Sequence, residues 1–150
     1  MARPVILLLS GPNLNLLGDR DPEIYGTDTL HDHVAAARDR AQQKGYDLEH
    51  LQSNHEGDLI DAIHSARHRV ASIVINPGAL THYSWTLHDA LAAYEGPIVE
   101  LHISEPKERE VWRHTSVVEP LAVATVSGKG AAGYPEAIDI AIDAVAAHDS

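Results

Sequence analysis

Short runs of leucine and β-branched residues alternate with longer stretches of helical periodicity along this chain, and no other feature restricts the fold so strongly. Val5 to Leu9 reads as a strand and is followed by a long polar loop. A helix is then predicted from Leu30 to Lys44, where Leu30, Val34, Ala37 and Ala41 share one face. Thr29 with Asp32 forms a capping box at its start, and Gly45 suits its stop. The unit repeats with a strand from Tyr46 to Gln52 and a helix from Glu56 to Arg69, which carries Leu59, Ile60, Ile63 and Ala66 at helical spacing. Ala71 to Ile75 is nearly all apolar, as a parallel strand buried on both faces must be, and is expected at the sheet centre. A helix from Ser84 to Tyr94, strands from Pro97 to Leu101 and from Ala122 to Val126, and a last helix from Pro135 to Ala147 complete the pattern.

Strand and helix in alternation imply a doubly wound α/β architecture, and five strands in 150 residues fit a flavodoxin-like parallel sheet of order 2-1-3-4-5. The length suits one domain, residues 1–150, with a sizeable core. No apolar run approaches the ~20 residues of a membrane span, and the N-terminal residues lack the pattern of an export signal. A cytoplasmic location is therefore expected. The chain has no cysteine, which excludes disulfides, thiolate metal sites and a cysteine nucleophile. Its formal charge of −11 opposes a polyphosphate partner, so nucleic acid is not expected. A small anionic substrate remains compatible, because arginines act at contact range while salt screens the distant acidic surface.

In such sheets ligands bind beyond the carboxyl ends of the strands. Those positions here are polar: Ser10-Gly11-Pro12-Asn13-Leu14-Asn15, Ser53-Asn54-His55-Glu56, Asn76-Pro77-Gly78 and Glu100-Leu101-His102-Ile103-Ser104. Ser53, Asn54 and Gly78 are equally well read as turn and capping residues. The loop from Ser10 to Asp28 far exceeds the ~2 to 6 residues of an ordinary βα connection. Gly18 and Gly26 flank a charged segment with an aromatic tip at Tyr25, which describes a lid on two hinges, the alternative being a disordered surface loop. Arg109 and Arg113 stand four apart in the charged stretch from Glu105 to Arg113. If that stretch is helical they point together toward a ligand; otherwise they belong to a solvated face paired with Glu105, Glu108 and Glu110.

Several motifs, in this order along the chain, carry a resemblance: Gly11-Pro12-Asn13-Leu14-Asn15, Arg20-Asp21-Pro22-Glu23-Ile24-Tyr25-Gly26, Gln52-Ser53-Asn54-His55-Glu56-Gly57, Asn76-Pro77-Gly78, Thr81-His82 and Glu100-Leu101-His102-Ile103-Ser104. Together they resemble the type II 3-dehydroquinate dehydratases over essentially the whole chain. The resemblance implies a lyase that reversibly dehydrates 3-dehydroquinate to 3-dehydroshikimate through an enolate, in the shikimate pathway or quinate catabolism, with no metal or other cofactor. Removing a proton beside a ketone while protonating a departing hydroxyl requires a general base and a general acid.

By resemblance Tyr25 is the base and His102 the acid, with Glu100 orienting the imidazole two residues back on the same side of the strand. An ordinary phenol titrates near ~10, so a tyrosinate needs cations nearby. Arg20 on the lid is the first candidate and Arg109 the second. The resemblance further makes Asn13 the holder of a water that stabilises the enolate, Asn76 a contact to the C1 hydroxyl, His82 a pocket contact and Arg113 a grip on the ring hydroxyls. The N–H groups of Ile103 and Ser104 take the substrate carboxylate. Asp89 matches an acidic residue lent to a neighbouring subunit, which implies a homo-oligomer, a dodecamer built from trimers. Read without the resemblance, Tyr25 is as well a packing anchor for its loop, and His102 a hydrogen-bonded core histidine.

The chain departs from the family pattern at Ser10, Tyr83, His88 and Glu105. Glu105 matters most, because a carboxylate beside the substrate-carboxylate pocket weakens binding unless Lys107 or an arginine offsets it. Two other readings exist. A flavin-binding or phosphoacceptor module is opposed by Pro12, which lacks an N–H, and by Asn76 where an aspartate would be needed. A metal site at His64 and His68 has i, i+4 spacing but no accompanying glutamate. Gly128-Lys129-Gly130 lacks phosphate-loop spacing and reads as a turn.

Overall fold

The computed structural model describes residues 2–149. Five strands, β1 (Val5–Ser10), β2 (Asp47–Gln52), β3 (Ser72–Asn76), β4 (Ile98–Leu101) and β5 (Ala124–Val126), form one sheet of order β2-β1-β3-β4-β5. Every pairing is parallel. A single helical turn, α1 (Pro22–Tyr25), lies inside the long first loop; α2 (Leu30–Gln43), α3 (Glu56–Ala66), α4 (Trp85–Ala92) and α5 (Gly133–His148) pack on the sheet.

Alternation along the strands divides the core in two. Ile6, Leu8, Val74, Val99 and Leu101 meet α2 and α5 on one face, through Val34, Ala37, Ala41, Ala137, Ile138 and Ala141. Leu7, Leu9, Ile73, Ile75 and Ile98 meet α3 and α4 on the other, through Leu59, Ile63, Ala66, Leu87 and Leu91. β3 is buried at every position, as its composition requires. No helix among the described residues is long and apolar enough to cross a membrane.

The capping box on α2 forms as read, with Thr29 Oγ1 accepting from Asp32 N and Asp32 accepting from Thr29 N. α3 is shorter than its periodicity predicts. The chain turns at Arg67, and His68 takes a left-handed φ of 62°, so His64 and His68 do not share a helix face. The stretch from Glu105 to Arg113 is not helical either. It forms two 3-10 turns, Pro106–Glu108 and Val111–Arg113, separated by an extended Arg109 at φ −111° and ψ −157°. Arg109 and Arg113 are therefore placed by two turns and not by i, i+4 geometry.

The loops after β1 and β3 are locked backbone to backbone. Gly11 N donates to Asn76 O at 2.8 Å, and a Cβ at Gly11 would stand 2.4 Å from Pro77 O. Gly78, at φ 61°, meets Pro12 O in the same way. Gly11→Ala is expected to cost roughly 3 kcal/mol in urea unfolding, since the obstruction is backbone and cannot rotate aside.

Candidate active site

A cleft opens at the carboxyl edge of the sheet, where Asn13 after β1, Asn76 ending β3 and His102 after β4 converge. Arg20 and Tyr25 enter it from the long loop, His82 from the 3-10 turn Gly78–His82, and Arg109 and Arg113 from the two turns after β4. Ile103 and Ser104 complete it. Ten of the residues singled out in the sequence thus line one cleft, together with Pro12, Leu14, Leu17, Gly78, Ala79 and Pro106, which sequence reasoning did not assign. Leu14 and Leu17 are buried in the core and anchor the base of the loop. Gly18 and Gly26, at φ 96° and 76°, sit bracketing Tyr25 at positive-φ positions that favour glycine.

Tyr25 is half-buried, and its hydroxyl accepts a hydrogen bond from Arg109 Nη1 at 2.9 Å. The guanidiniums of Arg20 and Arg109 stand 4.8 and 5.3 Å from the ring centroid. Arg109 thus contacts the phenol oxygen as well as the ring, while Arg20 covers the ring. Arg109 also reaches Ser104 Oγ at 3.4 Å.

His102 Nε2 lies 2.5 Å from Glu100 Oε2, and both residues are buried. Glu100 is not a cleft residue; it stands behind the imidazole. Its carboxylate also accepts from Ser116 Oγ at 3.0 and 2.9 Å and faces Thr125 Oγ1 at 3.4 Å. A carboxyl group only 2% exposed is tolerable because hydrogen-bond partners surround it. Thr125 was legible in principle, since it pairs with Glu100 in the β4–β5 register. Ser116 carries no local sequence signal.

His82 donates Nδ1–H to Thr115 O at 2.7 Å, which leaves Nε2 as an acceptor. Burial, opposed by that hydrogen bond, holds its imidazole below the usual histidine range. Arg113 ion-pairs with Glu110 and lies over Trp112 at 4.1 Å. Among the described residues, the N–H groups of Ile103 and Ser104 have no protein acceptor.

Five other positions named in the sequence lie outside the cleft. Glu105 does not line the cleft. It caps the turn Pro106–Glu108 by accepting from Lys107 N, and accepts from Ser127 Oγ at 2.5 Å; the Ser127 bond leads in holding its carboxyl below the ordinary range. Its carboxylate is thereby held against Ser127, the residue that follows β5. Asp89 is exposed on α4, outside the cleft. Ser53 Oγ donates to Asp58 and accepts from His55 N just before α3, and Asn54 Oδ1 accepts from Asn13 N at 2.9 Å, so that motif braces the first loop without entering the cleft. Ser10 is held by His50 Nε2 at 3.0 Å, and burial pushes that imidazole down to about 4.

The family model described as dehydroquinase class II matches residues 4–142. A 3-dehydroquinate dehydratase of Corynebacterium glutamicum is 56% identical over 135 residues, covering 90% of this chain and 93% of the relative. A catabolic 3-dehydroquinase of Aspergillus clavatus is 51% identical over 134 residues, with 89% of each chain covered. Among solved structures, the type II dehydroquinase of Butyrivibrio crossotus superposes with a TM-score of 0.90 at 43% identity, covering 93% of this chain and 98% of the other. With the family model spanning nearly the whole chain and relatives more than half identical to it, the chain belongs to the class II dehydroquinase family.

Proposed function

We propose that the protein reversibly dehydrates 3-dehydroquinate to 3-dehydroshikimate through an enolate, with Tyr25 as general base and His102 as general acid. The observation that carries this reading is the meeting, in one cleft, of a phenol held by a guanidinium and an imidazole held by a buried carboxylate. Tyr25, with Arg109 on its hydroxyl and Arg20 over its ring, takes the proton beside the ketone. The negative charge that passes to the substrate oxygen is met by a water held by Asn13. His102, whose Nε2 is engaged by Glu100, has Nδ1 left to protonate the departing C1 hydroxyl.

Asn76 contacts that hydroxyl, and His82 and Arg113 bind the remaining ring hydroxyls. The unpartnered N–H groups of Ile103 and Ser104 suit the substrate carboxylate, as does the turning away of Glu105. Residues 1–150 act as one catalytic domain, in the cytoplasm, in a homo-oligomer of trimers assembled into a dodecamer. Exposed Asp89 shares α4 with Trp85, which is 61% exposed beside Tyr83 at 62%, a surface suited to another copy.

Purified protein given 3-dehydroquinate in the presence of chelator is expected to generate the ultraviolet absorbance of a conjugated enone; no absorbance at high enzyme concentration would overturn the reading. Light scattering across a size-exclusion peak is expected to give twelve times the chain mass, and an active monomer would remove Asp89 from its role.

A further inference from the structure

The segment that follows Arg113 is pinned from both ends. Thr115 O accepts from His82 Nδ1, Val117 N donates to Thr81 O at 2.8 Å, and Val117 O accepts from His88 Nδ1 at 2.7 Å. Val117 and Val118 are buried in the core. Ser116, between Thr115 and Val117, is thereby fixed in place, and its hydroxyl makes three kinds of contact at once. It accepts from Val118 N at 3.2 Å and from Glu119 N at 3.1 Å, and it lies 3.0 and 2.9 Å from the two oxygens of Glu100.

A serine hydroxyl has two acceptor sites and one hydrogen. With two backbone N–H groups filling the acceptor sites, the hydrogen has Glu100 as its acceptor. We propose that Ser116 is a positioning residue of the dehydration, an obligate donor that fixes the Glu100 carboxylate and, through it, the ring of His102. This rests on the roles assigned above to His102 and Glu100. The donor spreads across both carboxylate oxygens, so the anion is held in the orientation in which one of them meets Nε2 of His102. Thr125 approaches the same carboxylate from β5 at the longer distance of 3.4 Å and is the lesser contributor. The other charged groups near the pair are His82, Arg113, Lys107, Glu105, Glu108, His114 and Glu119, and Ser116 hydrogen-bonds to none of their side chains.

The test separates donation from turn capping. Ser116→Ala removes both. Ser116→Asp keeps an acceptor for Val118 N and Glu119 N but replaces the donor with a carboxylate beside Glu100. The expected result is a fall in kcat of about 10- to 100-fold for Ser116→Ala, up to the lower limit of the loss for a general acid itself, with KM within about twofold. Ser116→Asp turns over no faster than Ser116→Ala, and Ser116→Thr, which restores a hydroxyl, recovers most of the loss. A Ser116→Ala kcat within about twofold of the unsubstituted protein overturns the proposal, as does recovery of turnover in Ser116→Asp, which assigns the serine to the turn alone. These outcomes are read in an enzyme that is otherwise active. An unsubstituted protein that makes no enone overturns the dehydratase reading itself, and this inference with it.

Discussion

Tyr25→Phe is expected to lower kcat by about 10³- to 10⁴-fold, the upper part of the range for loss of a positioned general base. The substitution removes one oxygen and leaves the ring, so both guanidiniums retain their places over its face and Arg109 retains Ser104 as a partner. Folding should therefore be almost unaffected, with a melting temperature within about 2 °C of the unsubstituted protein, as for a change of well under 1 kcal/mol. Substrate affinity, measured by calorimetry, should change by less than about tenfold, or 1.4 kcal/mol. The decisive comparison is kinetic. A phenylalanine variant within tenfold of normal turnover would show that the base lies elsewhere in the cleft.

His102→Ala is expected to lose about 10²- to 10⁴-fold in turnover and, unlike the tyrosine change, to damage the fold. Glu100 is buried, and its carboxylate loses the partner 2.5 Å away. Leaving a buried acceptor without its donor costs about 1 to 3 kcal/mol, and more where the acceptor is charged. The companion experiment is Glu100→Gln added to His102→Ala, which removes that charge. Urea unfolding should show the double variant more stable than His102→Ala alone by about 2 kcal/mol or more, a coupling expected only of groups in contact. Its turnover should remain as low. Equal stability of the single and double variants would mean that Glu100 is not held as an anion by His102, and the acid role would lose its physical basis.

How far these outcomes could be read from the sequence depends on where each residue sits. β3 was legible because a strand buried on both faces must be apolar throughout, and α2 because its capping box and one-sided apolar pattern are local. The end of α3 was not, because Arg67 and Arg69 are compatible with a helix, and only the left-handed His68 shows where the chain departs. In the stretch after β4, even spacing of arginines invited a helical reading that Pro106 and the extended Arg109 defeat. The contact of Arg109 with Tyr25 joins residues 84 apart, and no local pattern reports it. Glu105 illustrates the converse: its neighbours in sequence predicted a clash, whereas Ser127, 22 residues away, draws the carboxylate aside. Most cleft residues could be named from the family motifs, but the groups behind them, Ser116 above all, belong to tertiary packing.

The seam between the loops after β1 and β3 limits how variants of this protein can be assembled. Gly11 and Pro77 touch through backbone atoms, as do Gly78 and Pro12, so neither loop has a conformation independent of the other. A chimera that imports residues 10–17 from a relative will keep its shape only if residues 76–82 travel with them, and library designs that randomise one loop alone will mostly sample misfits. For recombination, these two stretches, some sixty residues apart in the chain, form a single heritable block.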